Sequence, residues 1–160
     1  MVPPGIPEAN ALLALRRSGG LSIDEEGRFL VHGEPVTHGR TLEVLWRSLV
    51  RLPDGDWQVS VGGESAFVRV GETPWAVRSA VAVPGGITLW LSDGSREPLD
   101  PRTLRVGRDG VLRCTLASGE PARFTRAAQL AVGERLEEDP ASPSGFRLAL
   151  GGGSHPVGAE

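Results

Sequence analysis

Gly55-Asp56-Trp57-Gln58-Val59-Ser60-Val61-Gly62-Gly63-Glu64-Ser65 returns later in the chain as Ser144-Gly145-Phe146-Arg147-Leu148-Ala149-Leu150-Gly151-Gly152-Gly153-Ser154. The residue types follow one order in both: aromatic, polar, aliphatic, small, aliphatic, a glycine pair, then serine. Alternating apolar positions mark each run as a strand, and the glycine pair marks the turn after it. Upstream of each run stand a Gly-Glu-Pro turn, Gly33-Glu34-Pro35 or Gly119-Glu120-Pro121, and a helical stretch; Arg40 and Arg126 lie at the same offset behind those turns. Two matches in one order predict a duplicated strand–turn–helix–strand unit. Each copy is too small to bury much core alone, so the two are expected to pack together, with a ligand site at their seam.

The stretches around the repeat fill in the rest. His38 to Arg51 reads as the best helix, with Thr37 as its cap; Leu42, Leu45, Trp46 and Leu49 fall at i, i+3, i+4 and i+7. Phe124 to Glu138 reads as a second helix, weakened at Gly133 by about 1 kcal/mol relative to Ala. Glu8 to Arg17 reads as a short helix stopped by Gly19-Gly20. Strands are expected over 21–23, 28–32, 57–61, 66–70, 76–83, 87–91, 104–106, 111–117 and 146–150. Asp-Gly and Gly-Gly turns separate them, with Gly27 expected at positive φ, and this spacing suggests antiparallel meanders. The fold class is α+β: duplicated units, antiparallel sheets and two main helices. Its expected divisions are an N-terminal segment over 1–20, lobes over 21–75 and 76–151, and a flexible tail over 152–160.

Composition sets the outer bounds. Of 160 residues, 39% are hydrophobic and 23% charged, as in a globular chain. The formal net charge of −3 supplies no global positive field for duplex nucleic acid or a membrane surface. All 17 basic residues are arginine, which fits either a GC-rich genome or anion binding through guanidinium forks. A single cysteine, Cys114, rules out a disulfide within the chain and suits a reducing compartment. No apolar run reaches the roughly 20 residues of a membrane span. The start of the chain does not read as a signal peptide, so a cytoplasmic location is expected.

A search for chemistry finds no catalytic constellation. Without lysine there is no phosphate loop of the Walker type, and no Gly-x-Gly-x-x-Gly opens a helix. Gly63-Glu64-Ser65-Ala66-Phe67 lacks the closing glycine of a nucleophile elbow. Cys114 alternates with Leu112 and Leu116 and reads as core. His32 and His38 have no third ligand nearby in sequence. No cofactor, metal or enzymatic activity is therefore expected. What remains are Arg40, Arg123 and Arg126 near the helix entries, Arg69 on a strand, and His38 and Glu64 beside them. They serve either as surface charge paired with Glu34, Glu64 and Glu120, or as a cluster in which Arg40 and Arg126 grip an anion bidentately and His38 adds a titratable donor.

Several short motifs in one order resemble a known family. They are Gly20-Leu21-Ser22-Ile23, Gly27-Arg28-Phe29, Gly33-Glu34-Pro35-Val36-Thr37-His38, Gly63-Glu64-Ser65, Glu72-Thr73-Pro74-Trp75, Leu99-Asp100-Pro101, Glu120-Pro121-Ala122-Arg123-Phe124-Thr125-Arg126 and Ser144-Gly145-Phe146. Together they resemble the DUF1285 family of bacterial proteins of unknown function, from about Leu21 to Leu150. The resemblance implies a duplicated core whose C-terminal half is superficially like a pleckstrin-homology (PH) fold. It also implies a ligand site at the lobe interface, for a nucleotide-like molecule, and a role in signal transduction. The chain departs from the family at Phe29, where a tryptophan is expected, and in lacking the family's Trp-Asn-Pro segment ahead of the first strand. Two functions are carried forward: a non-catalytic module binding a small anionic or nucleotide-like ligand, and a protein-interaction module using a sheet edge or the helix at residues 8–17.

Overall fold

Leu21-Ser22-Ile23 and Phe29-Leu30-Val31 flank a turn that glycine closes. In the computed structural model, which describes residues 20–160, they form β1 (Leu21–Ile23) and β2 (Phe29–Val31), antiparallel with Ile23 opposite Phe29. Gly27 closes the turn at φ 75°, a geometry that costs glycine little. The helix expected over 8–17 lies outside the described residues. β3 (Glu34–Pro35) follows, then α1 (Gly39–Ser48), β4 (Val50–Arg51), β5 (Trp57–Val61) and β6 (Glu64–Val70). The sheet order is β3-β2-β1-β6-β5-β4. The return strand β6 lies parallel to β1, with Ser22 opposite Arg69.

The chain divides into two compact units, the first running to Pro74 and the second over Trp75–Glu160. The second opens with an antiparallel meander, β7 (Ala76–Val83), β8 (Gly86–Leu91) and β9 (Arg96–Pro98). A single 3₁₀ turn, Pro101–Thr103, capped by Asp100, leads to β10 (Arg105–Val106). β11 (Leu112–Thr115), β12 (Pro121–Phe124), α2 (Arg126–Gly133), β13 (Leu136–Glu138), β14 (Phe146–Leu150), β15 (Gly153–Pro156) and β16 (Gly158–Ala159) complete it. They form a seven-stranded sheet, β16-β10-β11-β12-β7-β8-β9, and a three-stranded one, β13-β14-β15.

Outside the meander β7–β9, the two units repeat one topology, with β15 and β16 together in the place of β6. β10 and β11 pair as β1 and β2 do, Val106 opposite Leu112 matching Ile23 opposite Phe29. The turns between them share one hydrogen-bond pattern: Gly27 N–H donates to the Asp24 carbonyl and Gly110 N–H to the Gly107 carbonyl. β14 and β15 repeat the register of β5 and β6, Ala149 opposite Ser154 matching Ser60 opposite Ser65. Each unit closes with a parallel pair, Arg105 opposite Gly158 matching Ser22 opposite Arg69. Trp57 stands opposite Val68, and the Phe146 carbonyl accepts from the N–H of Val157, the counterpart of Val68. Trp57 and Phe146 thus hold equivalent places. The meander β7–β9 has no counterpart in the first unit; β7 adds to the edge of β12.

Several sequence expectations change. The two larger sheets are mixed, because β1 with β6, β10 with β16 and β12 with β7 run parallel, while β13-β14-β15 is antiparallel as expected. α1 stops at Ser48 rather than Arg51. Leu49 is extended, and Val50–Arg51 gain ladder partners in Gln58 and Trp57. Its cap is His38, with no side-chain cap bond, not Thr37. α2 is shorter than the expected 124–138 at both ends. Phe124 belongs to β12, Thr125 Oγ1 caps by accepting from Ala128 N–H, and beyond Gly133 the chain turns into β13. The flexible tail over 152–160 is overturned. Gly151-Gly152 makes a tight turn, residues 153–156 pair with β14, and Val157 is fully buried.

The second unit's core gathers Val77, Leu89, Leu104, Leu112, Cys114, Phe124, Val132, Leu148 and Val157, all essentially inaccessible. Cys114 sits there with Leu112 and Leu116, as the alternation predicts. Burial pushes its thiol up from an ordinary 9.0 to about 12. Iodoacetamide at pH 8 should leave the native thiol unmodified while labelling the denatured chain completely. Above pH 9 the unfolded thiol ionises first, so folding stability should fall by about 1.4 kcal/mol per pH unit until the folded thiol also ionises near 12. Native labelling at the denatured rate would contradict the burial.

Candidate functional site

The second unit carries an open apolar groove of about 740 Å³ between α2 and the β10–β11 hairpin. Helical spacing builds one wall. Ala128 and Val132 turn into the core, which leaves Gln129, Leu130, Gly133 and Glu134 on the groove side. The hairpin supplies Val106, Gly110 and Leu112, and β13 and β14 supply Leu136 and Phe146. Leu130 is 65% exposed and Phe146 39%, a large apolar display for one small site.

Gln129 fixes the distance between helix and hairpin. Its Oε1 accepts from Leu112 N–H at 2.9 Å and its Nε2 donates to the Gly110 carbonyl at 2.9 Å. Both ends of the amide are thereby engaged, so Gln129 braces the floor. Glu134 is the one titratable side chain among the described lining residues. A volume in the few-hundred to thousand Å³ range with apolar walls and few polar groups is typical of small-molecule sites.

The predicted site residues fall on both units, Arg40, His38, Glu64 and Arg69 on the first and Arg123 and Arg126 on the second. Arg40 is exposed, two residues past the cap of α1, whereas Arg126 is exposed but only one residue past the cap of α2. The equal offset from the Gly-Glu-Pro turns therefore does not give equal helix positions, and the two arginines face different directions from their helices. His38 is exposed, its Nδ1 3.4 Å from Thr41 Oγ1. Glu64 is half-buried at the start of β6, opposite Val61, and no hydrogen bond or ion pair joins it to His38. Arg69 lies on β6 and lines a separate polar depression of about 490 Å³ with Arg51, Asp56, Trp57 and Glu72. Arg51 stacks over the Trp57 ring there, 4.6 Å from its centre.

Arg123 enters a charge cluster that sequence reasoning missed. It stands opposite Arg113 across β11 and β12, and its Nη1 is 3.5 Å from Asp109 Oδ2. Arg113 donates both Nη atoms to Asp109, at 2.9 Å each, and is itself buried. The Arg113 guanidinium, helped by the Val111 N–H and by Arg123, holds the Asp109 carboxyl well below the usual carboxylate range. Gly107 makes room for this pair, since any side chain there would collide with the Arg113 guanidinium. The available signal was Asp109 four residues before Arg113 across a turn. A strand pattern of Leu112, Cys114 and Leu116 hid it. One carboxylate holds two guanidiniums here, tying the β10–β11 turn to β12.

No family model matches the sequence, and no curated protein matches it. Solved structures do. A DUF1285 family protein from Silicibacter pomeroyi superimposes with a TM-score of 0.65 at 16% identity, over 86% of this chain and 79% of that one. The chain has a DUF1285-like fold. A second DUF1285 family protein, from Shewanella baltica, superimposes with a TM-score of 0.53 at 14% identity, over 72% of this chain and 91% of that one. At such identities the likeness establishes the DUF1285-like fold and leaves the chemistry to be argued from side chains. Among the described residues, no helix is long and apolar enough to cross a membrane.

Proposed function

We propose that this DUF1285-like chain is a non-catalytic binding module that senses a small, planar, nucleotide-like ligand through its second unit. The observation that carries this reading is the groove itself: about 740 Å³, apolar on its walls, with one carboxylate and a braced amide among its described lining residues. Such a lining offers shape and desolvation rather than an acid–base pair. The anionic end of the ligand is assigned to Arg126. That residue stands four before the lining residue Leu130 on α2 and therefore on the same helix face, one turn away.

A thermal-shift screen of the full chain with a nucleotide library tests the assignment. A binder at a hundred times its Kd stabilises the folded state by about 2.7 kcal/mol. Arg126→Ala should shrink the rise in midpoint, and Arg40→Ala, the other arginine singled out by the sequence, serves as the comparison. No rise with any nucleotide would sink the reading. An equal rise in wild type and Arg126→Ala would sink the role of Arg126.

The second reading, a protein-interaction module, draws on the outer face of the β7–β8 hairpin, where Val81, Val83 and Trp90 are exposed. Arg96 stacks over the Trp90 ring at 4.8 Å and covers part of it.

A further inference from the structure

The first unit shows what the groove in the second is shaped to hold. Counted from the helix caps, His38 and Thr125, the buried helix positions coincide: Thr41 and Leu45 in α1, Ala128 and Val132 in α2. On that count Trp46 corresponds to Gly133. On the hairpins, Phe29 opposite Ile23 corresponds to Leu112 opposite Val106. In the first unit these two places make an aromatic contact, Phe29 and Trp46 meeting edge to face with ring centres 4.8 Å apart. In the second unit the same two places are Gly133 and Leu112, and both line the groove. A Cβ placed on Gly133 would meet nothing within 4 Å. Where the first unit carries an indole, the second has open space.

We propose that the groove of the second unit binds a planar aromatic ring of indole size, seated where the indole of Trp46 sits in the first unit. This rests on the reading of the second unit as a ligand-binding module, and it names the part of the ligand that enters. Leu112, Leu130 and Leu136 offer apolar surface to the ring, and Phe146 offers the edge or face that aromatic pairs prefer. Glu134 supplies an acceptor for a ring N–H. Gln129 is already held by its two bonds to the hairpin.

Indole itself is the probe, titrated into the full chain and followed by amide NMR. Saturable shifts are expected at Gly110, Leu112, Gly133, Leu136 and Phe146. Gly133→Trp should refill the groove from within, abolish those shifts and raise the melting temperature. Gly133→Leu, a smaller intrusion, should weaken indole at least tenfold and stands in if the tryptophan variant does not fold. Absence of saturable shifts in wild type overturns the proposal, as does a folded Gly133→Trp or Gly133→Leu that binds indole like wild type. Indole carries no anion, so indole binding without nucleotide binding would overturn the nucleotide reading alone. Nucleotide binding that persists under saturating indole, and in Gly133→Trp, would overturn the ring assignment alone.

Discussion

Truncating the chain after Gly152 should abolish the cooperative thermal transition of the second unit. The deletion removes β15, which borders β14 on the side away from β13, and β16, the parallel partner of β10. It also removes Val157, which is fully buried among Leu104, Leu148 and the rest of that core. Burying one such side chain is worth about 1.5–3 kcal/mol. The lost ladder bonds add to this, against a total stability of only about 5–15 kcal/mol for an ordinary domain. Calorimetry and amide hydrogen exchange would report the result. Retention of the wild-type transition within a degree or two would mean that residues 153–159 are a loose end after all.

Phe29→Ala should cost the first unit about 3–5 kcal/mol, the range for deleting a fully buried ring. On a domain of this size that is a fall in melting temperature of more than about 10 °C. The ring does two jobs at once: it sits at the end of the β1–β2 turn, opposite Ile23, and it meets Trp46 edge to face. Phe29→Leu, which installs the residue found at the matching place in the second unit, should cost well under half as much. Denaturant titration with near-ultraviolet circular dichroism would follow both the stability and the loss of aromatic packing. A cost below 1 kcal/mol for the alanine variant would show that the Phe29–Trp46 contact contributes little to the fold.

The duplication was legible because it is written in turn chemistry. Gly62-Gly63 and Gly151-Gly152 sit between alternating runs, and β5, β7 and β14 occupy the predicted ranges. Of the strands two to four residues long, β1, β2, β10 and β11 fall within expected ranges, but others were not seen. β3, β12 and β16 carry no stretch long enough to alternate, and Pro35 and Pro121 read as turn residues although each joins a ladder. The parallel pairings join residues far apart in sequence and leave no local pattern. The candidate groove was hidden for a different reason. Matching the helices by their Gly-Glu-Pro turns puts Arg40 with Arg126 and so Trp46 with Val132. One extra residue before the Thr125 cap slides the true match to Gly133. Read alone, Gly133 was only a weak point in a helix.

Each unit is completed by its last strand lying down beside the first strand of its repeated hairpin, β6 on β1 and β16 on β10. The chain must therefore release roughly forty residues after the β1–β2 or β10–β11 hairpin before that hairpin gains its final neighbour, and contacts of such long sequence separation slow folding. As the chain leaves the ribosome, β1 and later β10 wait with a bare edge open to any passing strand. A nascent-chain experiment that stalls synthesis just before Val68, or just before Val157, should catch each half unlatched.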